Sequence, residues 1–422
     1  MPFSKLGLSP QLCTALPGLG YTTPTEVQAA SIPIVLTGAD VFTRAQTGTG
    51  KTAAFGLPMI DRLLVRQRRS QRRHPLGLVL VPTRELAVQV ERSLASYGRA
   101  VGLRVTAIFG GVAMTPQIRA LKNGTDIVVA TPGRLIDHLQ RRTIDLSAVE
   151  ILTLDEADRM LDMGFLPPLR RVLLDVPTSR QTLMFSATWS AGVVQLSGEF
   201  SRDAQRVDVS PAGGVAPTIT HRIHPVDLDR KRALLVHVVT QAPAGQALVF
   251  CKTKRGADRV GEHLNGVGLN ATVIHGNKAQ GARNRSLADF KSGRASILVA
   301  TDIAARGLDI VQLPLVVNYD LPLVADDYIH RVGRTGRAGL AGRAVSLVTP
   351  ADRQLLRDIQ QLLSEPLEQV PVAGFEVTSG ATRTDPRGPS SHRAPRSAGR
   401  PMWRGARSRP SRDAGARSRA GR

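Results

Sequence analysis

At 422 residues with 42% hydrophobic side chains, the chain is long enough for two domains with their own cores plus an extension. Its net charge of +22 and pI near 11.3 point to a polyanionic partner, nucleic acid ahead of a membrane surface. Cys13 and Cys251, its two cysteines, offer neither a disulfide framework nor a zinc site, and no apolar run approaches a membrane span or a signal-peptide core; a cytoplasmic protein with no membrane partner is expected.

In chain order, residues 40–43 predict a short strand feeding Ala45-Gln46-Thr47-Gly48-Thr49-Gly50-Lys51-Thr52, with a helix opening at Lys51. Glycines there let backbone N–H groups close on phosphate oxygens, and the helix amino terminus adds positive potential. Lys51 is placed for the β/γ-phosphates and the Thr52 hydroxyl for Mg²⁺. Ala45 stands where the general phosphate-loop pattern has glycine; the strand before, the helix after and the acids downstream outweigh that departure. Arg66, Arg68, Arg69, Arg72 and Arg73 follow as a basic insertion, either a nucleic-acid contact or a solvated loop.

The runs at 78–81, 127–130, 151–154 and 182–185 predict strands buried on both faces, with room between them for crossover helices and hence a parallel sheet. Asp155-Glu156-Ala157-Asp158 follows directly on the third run, which puts carboxylates at the carboxyl edge of the sheet. Asp155 is the candidate Mg²⁺ ligand and Glu156 the candidate base or positioner of an attacking water. The phosphate loop and this tetrad together imply a bound nucleoside triphosphate, a metal ion and hydrolysis.

A Pro- and Gly-rich break near 210–218 precedes a second series of apolar runs at 247–250, 271–274, 297–300, 315–317 and 344–348. The expected fold is therefore α/β, with domains at 1–209 and 219–377 joined by a short linker. From 378 to 422, Arg, Gly, Ser and Pro dominate. Between 383 and 422, twelve arginines face only Asp385 and Asp413, a net of +10. Such a composition cannot bury enough apolar surface to offset its ordering entropy, so a disordered nucleic-acid tether is expected; Trp403 beside Arg404 could stack on a base.

Gly20-Tyr21-Thr22-Thr23-Pro24-Thr25-Glu26-Val27-Gln28, the phosphate loop, the tetrad and the segments below stand in one order over about residues 3–350, and that series resembles the DEAD-box ATP-dependent RNA helicases, with His275-Gly276-Asn277-Lys278 most similar to bacterial RhlE-type members. The resemblance implies two RecA-like domains and ATP as the nucleotide, read by Gln28 with Phe3 as the isolated aromatic and Asp309 at the ribose. It implies RNA contacts from Pro82, Thr83, Arg84, Gly110, Gly111, Thr131 and Arg134 in the first domain and from Lys252, Arg283 and Thr301 in the second. Ser186 and Thr188 would link hydrolysis to strand separation, with Asp158 and His330 as coupling residues. Arg334 and Arg337, from His330-Arg331-Val332-Gly333-Arg334-Thr335-Gly336-Arg337, fit arginine fingers. Trp189 and Cys251 read as packing residues. The expected activity is ATP-driven local unwinding of short RNA duplexes or remodelling of RNA–protein complexes, with ribosome assembly or RNA decay factors as compatible partners. A DNA helicase or translocase and an ATP-independent RNA-annealing chaperone are the alternatives.

Overall fold

The computed structural model describes residues 1–46, 48–67, 74–209, 219–242, 245–305, 310, 313–336, 341–363 and 366–378, except the side chains of Val65, Arg66, Gln67 and Ile303. The 210–218 linker, the 379–422 tail, most of the basic insertion and the candidates Thr47, Asp309 and Arg337 lie outside that description. Met1–Val377 forms one compact unit.

Within it the described strands are β1 (Val41–Arg44), β2 (Gly77–Leu80), β3 (Val105–Ile108), β4 (Ile127–Ala130), β5 (Ile151–Asp155), β6 (Gln181–Ser186), β7 (Gln205–Asp208), β8 (Ile219–Pro225), β9 (Ala247–Phe250), β10 (Ala271–Ile274), β11 (Ile297–Ala300), β12 (Leu315–Asn318) and β13 (Gly342–Val348). They build two sheets, ordered β3-β4-β2-β5-β6-β1-β7 and β10-β11-β9-β12-β13-β8, in which every pairing is parallel. Parallel neighbours need crossovers, and the intervening helices cover both faces of each sheet. One face of the first sheet packs Phe55, Leu94 and Phe185; the other packs Phe42, Leu154 and Phe200. The second sheet is likewise buried between Leu234, Val249 and Val317 on one face and Phe250, Phe290 and Leu298 on the other. No described helix is long and apolar enough to cross a membrane.

Every strand expected from an apolar run is present within a residue or two of its expected bounds. Three strands carried no such run: β3, β7 and β8. All three are sheet edges, half-solvated and mixed in pattern, as in β7, where only Val207 of Gln205–Asp208 is buried. An edge strand buries too little to need a continuous apolar run.

The consequence for function lies at the carboxyl ends of the strands. The phosphate loop follows β1, Pro82-Thr83-Arg84 follows β2, the acidic tetrad closes β5, and Ser186 ends β6. In the second sheet Cys251-Lys252 follows β9 and Thr301 follows β11.

Candidate active site

The phosphate loop is fixed at both ends. Ala45 is fully buried, and its N–H donates to Ser186 O (2.9 Å), which ties the loop to the end of β6. Gln46 O then accepts from the Thr49 hydroxyl (2.7 Å) and the Thr49 N–H (3.4 Å), curling the chain back. Gly48 and Gly50 take positive φ (85° and 94°). At Gly50 a Cβ would sit 2.4 Å from Gln28 Nε2, so only glycine fits there.

Gln28 itself is buried and doubly tied. Its Oε1 accepts from Thr25 N (3.0 Å) in the capping box of helix Glu26–Thr37, and its Nε2 donates to Gly50 O (3.2 Å). The glutamine expected to read a base thus also locks its helix to the phosphate loop. Phe3 is buried edge-on to Tyr21, with ring centroids 6.2 Å apart, so it belongs to the core beneath this helix.

Lys51 opens helix Lys51–Gln67, and its Nζ is buried without a hydrogen-bond partner, while Thr52 beside it is half-buried. A buried ammonium with no acceptor is costly. Its field falls on the acids: Asp155, Glu156 and Asp158 are each held down by Lys51 among other groups. Burial nonetheless pushes Asp155 up to about 7, against the pull of Lys51. Its Oδ1 accepts from Glu156 N (3.0 Å).

Glu156 occupies left-handed backbone (φ 56°, ψ 52°) at the start of helix Ala157–Asp162. Its carboxylate accepts from Arg159 Nη1 at 2.7 Å, with both side chains buried. Burial raises its pKa, but Arg159, Lys51 and Arg334 outweigh burial and leave it lowered, so Glu156 is ionised.

Asp158 collects five donors. Its Oδ2 accepts from Ala187 N (2.8 Å), Thr188 N (3.0 Å) and the Thr188 hydroxyl (3.4 Å), and Oδ1 accepts from Arg159 N (2.8 Å). Against burial, His330, Lys51, Arg159 and a hydrogen bond from Ser186 hold its pKa down to about 2. Asp158 is therefore hydrogen-bonded directly to Ser186 and Thr188, the contact that the expected coupling would use. Trp189, next in the chain, packs on Phe42 (centroids 5.5 Å apart) with the Arg44 guanidinium 4.7 Å from its ring centre, a packing role as expected.

From the second sheet, helix Ala325–Val332 brings His330 Nε2 to 4.0 Å from Asp158 Oδ2, an electrostatic contact longer than a hydrogen bond. Burial and Arg159 lower His330 to about 4, so it is neutral near pH 7. Arg334 is buried and bears on Glu156, and with Arg159 and His330 it lines a cavity of only about 10 Å³. Arg331 is a residue the sequence did not single out. Its guanidinium holds Asp302 through Nε (2.6 Å) and Nη2 (2.7 Å), and Nη1 donates to Asn318 Oδ1 (3.0 Å) and Asp320 O (2.6 Å). That fork fixes the helix bearing His330 to the ends of β11 and β12. Cys251 is fully buried, and burial pushes its thiol far up, so it is inert.

A second convergence joins the two sheets. Arg84 Nη1 and Arg283 Nη1 both donate to Gln280 Oε1 (3.3 and 3.2 Å), while Glu85 Oε1 accepts from Gln280 Nε2 (2.9 Å) and pairs with Arg283 Nη2 (2.8 Å). Burial, Arg283 and Arg134 lower the pKa of Arg84 while Glu85 raises it; three guanidiniums thus gather on two carboxylates, Glu85 and, 3.5 Å from Arg134 Nε, Asp137. Such a surplus suits phosphate oxygens.

Gly111 (φ 75°) lies where a Cβ would be 1.7 Å from Arg84 Nη1; Gly110 precedes it, and Arg134 Nη2 donates to Val112 O at 3.0 Å. Pro82 is buried, Thr83 caps helix Arg84–Arg99 by accepting from Leu86 N (3.3 Å), and Thr131 is the N-cap residue of helix Pro132–Gln140. Thr301 is buried with its N–H on Ile274 O (3.4 Å), and Lys252 is exposed. Glu85, Gln280, Arg159, Asp302 and Arg331 are neighbours given no role from the sequence, although Glu85, Asp302 and Arg331 adjoin Arg84, Thr301 and His330 and Gln280 lies three residues before Arg283. Arg159 lies outside those segments, and its local signal was the three-residue spacing from Glu156.

Residues 25–196 match the DEAD/DEAH box helicase family model, and residues 230–339 match the helicase conserved C-terminal domain. The chain is 41% identical over 398 residues to DEAD-box ATP-dependent RNA helicase 30 of Arabidopsis thaliana, covering 92% of this chain and 67% of that protein. It is 40% identical to ATP-dependent RNA helicase DeaD of Mycobacterium tuberculosis (89% of this chain, 65% of that one) and 38% to ATP-dependent RNA helicase DbpA of Bacillus subtilis (87% and 76%). The chain thus spans about two thirds of the length of such relatives. Among solved structures, S. cerevisiae Dbp5 bound to RNA and ADP BeF3 matches with a TM-score of 0.78 at 30% identity, covering 88% of this chain and 95% of that one. Mss116p bound to ssRNA and AMP-PNP matches with a TM-score of 0.80 at 25% identity (88% and 78%).

Proposed function

Because the chain belongs to the DEAD-box family of RNA helicases, we propose that it hydrolyses ATP to separate short RNA duplexes or remodel RNA–protein complexes, with the site residues in the roles their motifs imply. The observation that carries this reading is the reach of His330 and Arg334, from the second sheet, to the acids that end β5. The unpartnered Lys51 ammonium, the Thr52 hydroxyl and the Asp155 carboxylate fit a triphosphate with its Mg²⁺, held by Thr52 and Asp155; the ion would neutralise phosphate charge.

In the mechanism, Lys51 and the loop N–H groups receive the triphosphate, and Gln28 orients the base while holding Gly50. Glu156, ionised, positions water for in-line attack. Arg334 faces Glu156 and neutralises charge building on the transferred phosphoryl group, with Arg337 as its partner in that role. Asp158 reports occupancy of this site to Ser186 and Thr188 through its hydrogen bonds, and to the second half through His330. RNA laid over Arg84, Gly111, Arg134 and Arg283 favours the same closed arrangement, so each ligand tightens the other. Backbone and 2′-hydroxyl contacts give RNA preference without sequence reading.

We further place the division between two RecA-like domains within 210–218 and the protein in the cytoplasm, where reduced thiols such as Cys251 persist. A strand-separation assay with a short RNA duplex tests the function. Wild type should unwind it only with ATP, and Glu156→Gln should bind but not unwind. Unwinding by Glu156→Gln at the wild-type rate would remove the enzyme reading.

A further inference from the structure

A cleft of about 450 Å³ lies on the outer part of the second sheet, on the face covered by helix Lys231–Thr240. Arg222 and His224 from edge strand β8 and Arg343 from β13 point into it, and the register sets Val345 beside Arg222 on its floor. His237 and Gln241 close one side. The third wall is the segment around Val370, pinned to β8 by Val370 N→Ile223 O (2.8 Å) and Ile223 N→Glu368 O (2.9 Å). β8 is three strands away from β9, the nearest strand carrying a candidate RNA contact.

The electrostatics of this cleft are one-sided. No carboxylate lines it, and neither Arg222 nor Arg343 has a carboxylate partner among the described residues; Arg343 Nε is buried with no acceptor at all. Two guanidiniums facing one space repel each other, and leaving a buried donor unpaired costs about 1–3 kcal/mol. We propose that the cleft is a binding site for a phosphomonoester dianion, separate from the nucleotide site. Two guanidinium forks match the charge and the oxygen geometry of such a group. Val238, Val345 and Val372 supply an apolar wall for the carbon body that carries it.

His224 adds a proton-linked donor. Its Nδ1 is engaged by Val370 O (2.6 Å), which leaves Nε2 for a ligand. Burial, Arg222, Arg343 and His237 lower its pKa while Val370 raises it, and a dianion among those cations would raise it further. The phosphomonoester has two possible sources, a small organic phosphate or the phosphorylated 5′ end of an RNA.

The test is histidine-ring NMR on the full chain, with the nucleotide site filled by a non-hydrolysable ATP analogue. Inorganic phosphate should shift the His224 and His237 ring signals saturably and raise the His224 titration by about one unit. The Arg222→Gln/Arg343→Gln pair should weaken that response at least about tenfold. Arg222 is exposed, so Arg222→Gln alone serves if the double variant does not fold, with a smaller but clear loss. A short RNA with a 5′-phosphate competing better than its 5′-hydroxyl twin would assign the RNA end as the source; equal competition would assign a small phosphate ester. No saturable shift up to about 20 mM phosphate, or an undiminished response in the arginine variants, would overturn the site.

Discussion

Glu156 is the residue on which the proposed chemistry and backbone strain coincide. A non-glycine in left-handed backbone costs on the order of 1 kcal/mol, and here the conformation turns the chain from β5 into helix Ala157–Asp162 with the carboxylate held by Arg159. Glu156→Gln keeps the shape and removes the charge. It is expected to cut ATP turnover by about 10²–10⁴-fold while RNA binding in the presence of nucleotide persists, read by phosphate release beside a binding assay.

His330 predicts a pH effect on stability. Its folded pKa of about 4 lies below the ordinary value of 6.5, so the unfolded chain takes up its proton first as pH falls. Stability contributed by the neutral ring is present above pH 6.5 and is lost as pH drops towards 4. Denaturant midpoints should fall by the equivalent of about 1–2 kcal/mol between pH 6.5 and 5, and His330→Gln should flatten that slope. Asp158, held to about 2, contributes a separate loss only below its unfolded value of 3.8. Lys51, Asp155, Glu156 and Asp158 were legible in the sequence because each sits in a contiguous motif. The pairings of Arg331 and Gln280 were not, because their partners Asp302 and Arg84 lie 29 and 196 residues away and no local pattern marks such a pair.

At the scale of elements, helix Glu26–Thr37 and the phosphate loop act as one piece, since Gln28 serves both. Gly50→Ala adds a methyl 2.4 Å from Gln28 Nε2 on backbone at φ 94°. It should displace Gln28 and lower ATP affinity at least about tenfold, measured by fluorescent-nucleotide titration, with a melting temperature reduced by a few degrees at most. Unchanged affinity would show that this contact is incidental. The central strands were readable because burial on both faces demands unbroken apolar runs, as in Ile151–Asp155. β7 and β8 escaped because Gln205, Arg206 and Arg222 face solvent or the cleft instead of a core, and the inward His221 is a polar residue held by Tyr328 OH (2.8 Å).

For the whole molecule the central feature is that two sheets share one site. Glu85, Gln280 and Arg283 join them on the candidate RNA side, and Asp158 and His330 join them on the nucleotide side. Arg283→Ala should therefore weaken RNA binding and also reduce RNA stimulation of ATP turnover, since it removes both a cation of the candidate RNA side and an interaction that joins the two sheets. Deleting 379–422 should instead weaken RNA affinity with RNA-saturated turnover largely intact. Every phosphate that the shortened chain no longer neutralises should reduce the log–log salt slope by about 0.7 for single strands, as read from affinities over a salt series.

The most direct test of this shared site is steady-state ATP hydrolysis by the full chain, measured alone, with single-stranded RNA and with single-stranded DNA of the same sequence. Closure of Arg334 onto the Glu156 site through RNA contacts predicts strong stimulation by RNA and little by DNA. Equal stimulation by the two, or turnover indifferent to both, would contradict it.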